Sequence, residues 1–278
     1  MGKQLEDRIA TQYSNPNLLA DILDGLKRSG ADISRLSIED LAPVDEFHTA
    51  GRITTHQALA MTPISSGMHV LDAGSGIGGT ARCLAREKGC YVTGIDLTAD
   101  YVDVARELSA RTGLNDVCTF QQGSVLDLPF EDATFDAAVS FHVAMNIEDR
   151  TRFYSELSRV LRPKAPLCLF DVMQGPNAGM SYPVPWADVE TNSFLKTPIK
   201  TKSLVEAAGF EVVAQKSLRT FAIDFFRKVF AKAATQDTPA LGLHLLTGAK
   251  TTEKFHNYAK GLNDHMVDPV IMVATRHS

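Results

Sequence analysis

The sequence predicts an α/β protein built on a parallel sheet with helices on both faces. Three observations carry this. From Met68 onward, short apolar runs alternate with segments of helical periodicity, the rhythm of strand–helix–strand units. Val70, Leu71 and Ala73 read as a buried strand with Asp72 at its end, and the glycine loop Gly74-Ser75-Gly76-Ile77-Gly78-Gly79 follows directly. A second strand then closes on Asp96, about twenty residues beyond the loop.

The segments before the first strand are largely helical. Leu18, Leu19, Ile22, Leu23 and Leu26 fall on one helix face, with Asn15 or Asn17 as a cap and Gly30 beyond the end. Phe47–Arg52 reads as a loop into a second short helix around Thr55–Met61. After the glycine loop a helix ends near Gly89, and Tyr91–Asp96 is the second strand. Thr98 is placed to cap the next helix, whose Tyr101, Val104, Ala105 and Leu108 keep helical spacing and which Gly113 stops. Val117–Gln122 and Phe135–Phe141 follow as strands three and four. Asp149 opens a helix carrying Phe153, Leu157, Val160 and Leu161, with Pro163 just past it, and Pro166–Met173 is strand five.

Beyond this point the pattern changes. Residues 174–200 hold five prolines and glycines before Pro198, together with the only tryptophan, Trp186, and form a long loop of the kind that often serves as a lid. Thr201–Ala208 is a helix stopped by Gly209, and Phe210–Gln215 is a strand. Residues 220–264 hold two more helices, and Pro269–Thr275 is the last strand. A helical pair inserted before a final strand is positioned to cover the open end of the sheet.

A chain of 278 residues with 44% hydrophobic residues supports one α/β domain plus an elaboration. The net charge of −5 supplies no electrostatic reason to expect nucleic acid. No apolar run approaches the ~20 residues that cross a bilayer, so no membrane association is expected. The opening MGKQLEDRIATQY is polar and mixed in charge, unlike a secretory signal, and Asp7 and Arg8 stand where a myristoylation motif wants Ser or Thr nearby. Cys83, Cys90, Cys118 and Cys168 have no metal-type spacing and read as buried free thiols, which suits a reducing cytoplasm. No metal site is expected.

The chemistry concentrates in the glycine loop. Gly74, Gly76 and Gly79 match G-x-G-x-x-G. Glycines at a strand-to-helix turn let a ligand meet the backbone without a Cβ between them, the helix N-terminus offers unpaired N–H groups, and an acid at the next strand end suits a ribose diol. An adenosine-containing cofactor is therefore expected. A nicotinamide or flavin dinucleotide is the rival ligand. Against it stand Asp72 in the strand end, the helical segment ahead of the motif, and the character of the landmarks downstream.

Those landmarks are VLDAGSGIGG, GIDLTADYVDVA, GSVLDLPFEDATFDAAVS and LSRVLRPKAPLCLFDV, in that order over residues 68–173. Together they resemble the class I S-adenosylmethionine-dependent methyltransferases. The segments EFHTAGR, YPVPWADVETNSFLKTPIKTKSLVEAAGFEVV and TPALGLHLLTGAK look like the small-molecule branch related to sarcosine/dimethylglycine N-methyltransferases.

The resemblance implies a doubly wound, Rossmann-like seven-strand sheet with the last strand antiparallel. It divides the chain into a helical N-terminal lid over 1–60 and a methyltransferase domain over 61–278, with a helical cap inserted at about 220–264. It implies S-adenosyl-L-methionine as cofactor. Gly74, Ser75, Gly76 and Gly78 would line its methionine part, and Asp72 would fix the loop and the amino group. Asp96 would accept hydrogen bonds from both ribose hydroxyls. Leu97 would pack on the adenine, with Ser124 and Val125 at the adenine edge, and Phe141 would complete the cofactor side. Each has a plainer reading: Asp96 as a helix-capping acid, Leu97 and Val125 as core.

Ser140–Ile147 follows the fourth strand, beyond whose carboxyl end ligands bind in open α/β sheets. His142 is the candidate base, or else a residue that caps the strand. Relatives often carry a histidine before Ile-x-Asp-Arg where this chain has Asn146, so a base is absent there and Asn146 is left to orient a substrate amine or hydroxyl. Pro163-Lys164-Ala165-Pro166 replaces the Pro-Gly-Gly of relatives, and an altered turn is expected. His48 and Arg52 fall near the cofactor entrance, where Arg52 pairs with the cofactor carboxylate or is structural. Tyr182, Trp186 and Phe194 form an aromatic wall or pack internally. Phe225, Phe226, Val229 and Phe230 form a core stripe, a substrate wall or a homodimer contact.

The expected reaction is methyl transfer to a small-molecule acceptor, foremost an amine nitrogen. The alternatives are carbon or oxygen of an aromatic or natural-product acceptor, a nucleotide-cofactor oxidoreductase, or a cofactor-binding protein without activity.

Overall fold

The computed structural model describes residues 2–278; Met1, the first residue of the expected lid, lies outside the described residues. Four helices precede the first strand: α1 (Gly2–Tyr13), α2 (Leu18–Arg28), α3 (Ile38–Asp45) and α4 (Arg52–Met61). The hydrophobic face read from the leucine spacing belongs to α2, whose Leu18, Ile22 and Leu26 are buried. The structure adds α1 and α3. At the start of α3 Ser37 and Asp40 form a reciprocal capping box, which satisfies donors that have no partner inside the helix.

The sheet follows. Its strands are β1 (His69–Ala73), β2 (Tyr91–Asp96), β3 (Cys118–Gln122), β4 (Ala137–Phe141), β5 (Pro166–Gln174), β6 (Phe210–Ser217) and β7 (Val267–Arg276). Their order is β3-β2-β1-β4-β5-β7-β6. The first five run parallel, while β7 is antiparallel to both β5 and β6. Strand order reverses between β1 and β4, the crevice where open α/β sheets bind ligands.

Helix α5 (Gly79–Cys83) runs into a π-helical turn, Leu84–Lys88, which ends at left-handed Gly89. Helices α6 (Ala99–Arg111) and α7 (Arg150–Val160) link the middle strands, and α8 (Pro198–Ala207) precedes β6. Between β6 and β7 lie α9 (Arg219–Ala233), the short α10 (His244–Thr247) and α11 (Thr251–Asn263), three helices where the spacing predicts two.

Two buried clusters cover the faces of the sheet, one centred on Val70, Val139 and Phe170 and one on Leu71, Ala138 and Leu169. The alternation places successive residues of β1, β4 and β5 on opposite faces. A third cluster packs α2 and α3 on α6, where Leu18, Ile22 and Leu41 join Tyr101, Val104 and Leu108. A fourth joins the cap to the long loop through Trp186, Phe226, Tyr258 and Leu262.

Several local expectations are corrected. Strand β4 begins at Ala137 instead of Phe135, which makes only an isolated bridge to Leu161. Thr98 precedes α6, but its side chain makes no capping bond; its N–H donates to Asp96 Oδ1 at 2.9 Å. Asp149 does cap α7, accepting from the Arg152 N–H at 2.9 Å. In the turn before β5, Lys164 takes φ 66°, so this lysine adopts a backbone that glycine occupies without strain. All four cysteines are free and buried.

Candidate active site

The glycine loop and the segment after β4 face each other across the strand-order reversal. Above them stand α1, the α3–α4 loop, the long loop and the cap. They enclose a cavity of about 1590 Å³, counting the space at its mouth.

The backbone of the loop requires its glycines for different reasons. Gly74 has φ 84°, and a Cβ there would lie 2.2 Å from Val143 Cγ2, so glycine lets the two loops touch. Gly76 has φ 52° and open space where a Cβ would project. Gly74, Ser75 and Gly76 line the cavity, as do Asp72, Asp96, Leu97, Ser124, Val125 and Phe141. Gly78 does not line it. It is the left-handed residue before α5, and a Cβ there would meet Arg82 and Phe120. Gly78, expected along the methionine part of the cofactor, thus stands behind the cavity wall. Gly79 serves the approach of the lid, since its Cβ would fall 2.1 Å from the Asp45 carbonyl oxygen.

Asp96 is anchored by two backbone donors from different loops. Its Oδ2 accepts from the Gly76 N–H at 2.8 Å, and its Oδ1 accepts from the Thr98 N–H. Burial raises its pKa, against the pull of these donors. Asp72 is buried and its pKa is raised to about 7, first by desolvation and then by the nearby charge of Asp96. Among the described residues, Asp72 Oδ2, Ser75 Oγ and Tyr101 OH are buried side-chain atoms without a hydrogen-bond partner, and all three residues line this cavity. Leaving such a group unpaired costs about 1–3 kcal/mol, and the cost is recovered when a polar ligand arrives. Ser124 Oγ donates to Glu6 of α1, so the lid reaches the sheet edge here.

His142 stands at the end of β4 with φ 56°, in the left-handed region that a side chain of this size seldom adopts. Its N–H donates to the Phe170 carbonyl at 2.6 Å, and its ring centroid lies 4.8 Å from that of Phe170 and 5.8 Å from that of His48. Its Nε2 is 3.4 Å from both the N and the Oγ1 of Thr49. Thr49 Oγ1 is in turn 2.7 Å from the Tyr258 hydroxyl oxygen. Burial depresses the pKa of His142 well below the ordinary histidine value, with His48 adding to the effect; His48 itself is pushed down to about 4, chiefly by burial. Both rings are neutral at physiological pH. Asp171 Oδ1 accepts from the N–H groups of Val143 and Ala144 and fixes this turn.

Asn146 is not a free amide. Its Nδ2 donates to the carbonyls of Trp186 at 2.8 Å and Asn192 at 3.0 Å, and its Oδ1 accepts from the Tyr13 hydroxyl at 3.0 Å. Asn146, expected to orient a substrate, lines the cavity and also ties α1 to the long loop. Arg52 is likewise engaged, donating to Glu46, and does not line the cavity. Trp186 and Phe226 line the cavity, whereas Tyr182, Phe194, Phe225, Val229 and Phe230 do not. Thr49, Tyr101, Tyr13 and Tyr258 are site residues that the motifs did not reveal. Thr49 lies within the EFHTAGR segment, but Tyr258 carries no local signal at all. Away from the cavity, His56, Cys83 and Glu87 bring ligand-type atoms within 4.8 Å of one another, and Glu87 pairs with His56 at 2.9 Å.

The strand order and the glycine loop after β1 define a Rossmann-like fold. Residues 71–169, from β1 into β5, match the methyltransferase domain family. The chain is 35% identical over 136 residues to a glycine/sarcosine/dimethylglycine N-methyltransferase of Actinopolyspora halophila, covering 49% of this chain and 24% of that protein. It is 29% identical over 185 residues to 24-methylenesterol C-methyltransferase 3 of Arabidopsis thaliana, covering 61% and 49%. The chain thus spans half or less of these curated relatives. Its fold is that of geranyl diphosphate C-methyltransferase from Streptomyces coelicolor A3(2), with a TM-score of 0.71 over 98% of both chains at 16% identity.

Proposed function

We propose that the protein transfers the methyl group of S-adenosyl-L-methionine to a small-molecule acceptor. The observation that carries this reading is the set of unpartnered buried polar atoms, Asp72 Oδ2, Ser75 Oγ and Tyr101 OH, gathered around a glycine loop in one cavity. They fit a ligand with an ammonium, a carboxylate and a ribose. In this assignment Asp72 takes the donor's ammonium, Asp96 takes the ribose hydroxyls, Leu97 and Val125 flank the adenine, and Ser124 sits at its edge. The sulfonium supplies a strongly electrophilic methyl carbon. The protein then has to align the acceptor in line with it and exclude water.

Residues 2–60 act as the lid and 219–263 as the cap, and together they close the cavity over the crevice. The tie from Tyr13 through Asn146 to Trp186 is the latch between lid and long loop. For the acceptor, an amine nitrogen remains open, since Glu6, Glu148 and Asp149 line the cavity, while Leu5, Ile9, Phe47, Met145, Trp186 and Phe226 give it a broad apolar wall. That apolar wall suits the oxygen or carbon of an aromatic or natural-product acceptor.

Calorimetric titration with S-adenosylmethionine, S-adenosylhomocysteine and, separately, NADH tests the reading. Micromolar binding of the two adenosyl sulfur compounds without NADH is the expected result. Binding of NADH alone replaces it with a dinucleotide enzyme.

A further inference from the structure

The cavity lining includes no lysine and no arginine among the described residues. The buried cations beside lining residues are already committed, Arg82 to Asp45, Arg52 to Glu46, Lys254 to Asp188, and Arg150 to the Ile147 and Phe194 carbonyls. An acceptor carrying a carboxylate or phosphate needs a cation or several donors in a buried site, because an unpaired buried anion is expensive. The acid-bearing end, with Asp72 and Asp96, is taken by the methyl donor in the reading above, on which this inference rests. The rest of the lining is mostly apolar in its exposed surface, with Asp45 and Glu46 already paired to arginines, and it carries a cluster of neutral polar groups at Thr49, His142 and Tyr258.

That polar spot is built from three separate elements. Thr49 comes from the α3–α4 loop, His142 from the end of β4, and Tyr258 from α11 of the cap. All three line the cavity, and Thr49 links the other two. The 3.4 Å contacts at His142 Nε2 are longer than a good hydrogen bond, so this atom is not fully satisfied within the protein. The ring is held by packing against Phe170 and His48 and not by its polar atoms. No member of the spot carries a charge, so it matches a neutral partner that both donates and accepts a hydrogen bond. A hydroxyl does both.

We propose that the acceptor is an uncharged, predominantly apolar molecule whose reactive hydroxyl binds at Thr49, Tyr258 and His142. Methyl transfer there is O-methylation. The acceptor oxygen forms a bond to the methyl carbon, the carbon–sulfur bond breaks, and its electron pair leaves with sulfur as the neutral thioether. The hydroxyl proton goes to His142 and from there to water, so the positive charge of the sulfonium departs as a proton. A weakly basic imidazole suffices, because the hydroxyl becomes strongly acidic only as the oxygen–carbon bond forms.

The test uses the full chain saturated with S-adenosylhomocysteine and three probes of one shape: 1-naphthol, 1-naphthoate and naphthalene. Calorimetry is expected to show naphthol binding at least tenfold tighter than naphthoate. Tyr258→Phe and Thr49→Val are expected to weaken naphthol fivefold or more and to leave naphthalene within twofold. That difference isolates the hydroxyl contact from any general loosening of the cavity. Naphthoate binding as tightly as naphthol overturns the proposal, as does absence of naphthol binding or an equal loss for naphthol and naphthalene in the variants. Failure of S-adenosylhomocysteine itself to bind is read in the same instrument and strikes the donor assignment instead.

Discussion

The Arg82 guanidinium donates to both carboxylate oxygens of Asp45, and both side chains are wholly shielded from solvent. The same guanidinium donates to the Ile77 carbonyl at 2.7 Å and to Ser109 Oγ at 3.0 Å. One residue thus joins the end of lid helix α3, the glycine loop and α6. Asp45 lines the cavity, so α3 is fixed to the crevice through a charge pair at the cavity wall.

Breaking one side of such a pair leaves the other charge buried and alone. Arg82→Met is expected to destabilise the protein by about 3–5 kcal/mol. Asp45→Asn should cost less, since an amide still accepts from the guanidinium. Urea unfolding followed by circular dichroism checks both, and equal midpoints for Arg82→Met and the parent would rule out the coupling described here.

The raised pKa of Asp72, about 7, has a definite sign in its consequences. The unfolded carboxyl titrates near 4. Between about pH 4 and 7 the folded state holds a proton that the unfolded state has lost, so this group's contribution falls as pH rises through that window. Asp72→Asn should therefore stabilise the ligand-free protein at pH 8 by roughly 2–4 kcal/mol and leave it little changed at pH 4. Donor binding should show the reverse trend. The charged neighbours of Asp72 are Asp96, Arg82 and Glu46, and an incoming ammonium adds the cation the carboxylate lacks. Affinity for S-adenosylmethionine should climb from pH 5.5 to 8 in the parent and stay flat in Asp72→Asn. Titrations in buffers of different ionisation enthalpy should detect proton release near pH 6.5.

Asp96→Ala should weaken donor binding by roughly 1–3 kcal/mol, the range for losing a partner to buried polar groups. Asp96 also holds the Gly76 and Thr98 N–H groups. Asp96→Asn keeps an acceptor for only part of this set, so it should fall between Ala and the parent. Affinity by calorimetry unchanged in Asp96→Ala removes the ribose assignment.

Gly74→Ala confronts two costs at once, a φ of 84° and a Cβ placed 2.2 Å from Val143 Cγ2. Overpacking of this kind costs about 1–3 kcal/mol. Adding Val143→Ala removes the clash but not the backbone strain. The double variant should recover part of the lost thermal stability, and no recovery would show that the strain alone is responsible.

The legible parts of this chain were those governed by neighbours in sequence. The strand before Gly74, the turn itself and the acid at Asp96 follow from short-range pattern, and the seven-strand order with antiparallel β7 agrees with the family resemblance. Roles that depend on distant partners were not legible. Asn146 reads as a free polar residue near the reacting end; it does line the cavity, but its bonds to Tyr13, 133 residues away, and to two carbonyls of the long loop had no signal in the local sequence. Gly78 and Gly79 share the motif with Gly76, but their space is taken by Phe120, Arg82 and the Asp45 carbonyl instead of a ligand. Tyr258 enters the site only because α11 folds back over the crevice. Periodicity reports which face of a helix is buried, not which cavity that face closes.

His142 joins backbone strain to chemistry, and its substitutions separate the two. A non-glycine residue in the left-handed region costs of order 1–3 kcal/mol, and φ 56° places His142 there. His142→Gly removes both the strain and the ring, His142→Ala removes only the ring, and His142→Asn keeps a polar side chain that tolerates the conformation. Stability should therefore rank the glycine and asparagine variants above the alanine variant. Turnover, if the ring receives the acceptor proton, should fall in all three by about 10²–10⁴-fold. Donor affinity should stay within threefold, because the polar groups proposed to hold the donor are Asp72, Ser75, Asp96 and Tyr101. Turnover that follows stability, low in alanine and restored in glycine, assigns His142 to the turn alone; turnover lost in glycine despite restored stability assigns it to the proton.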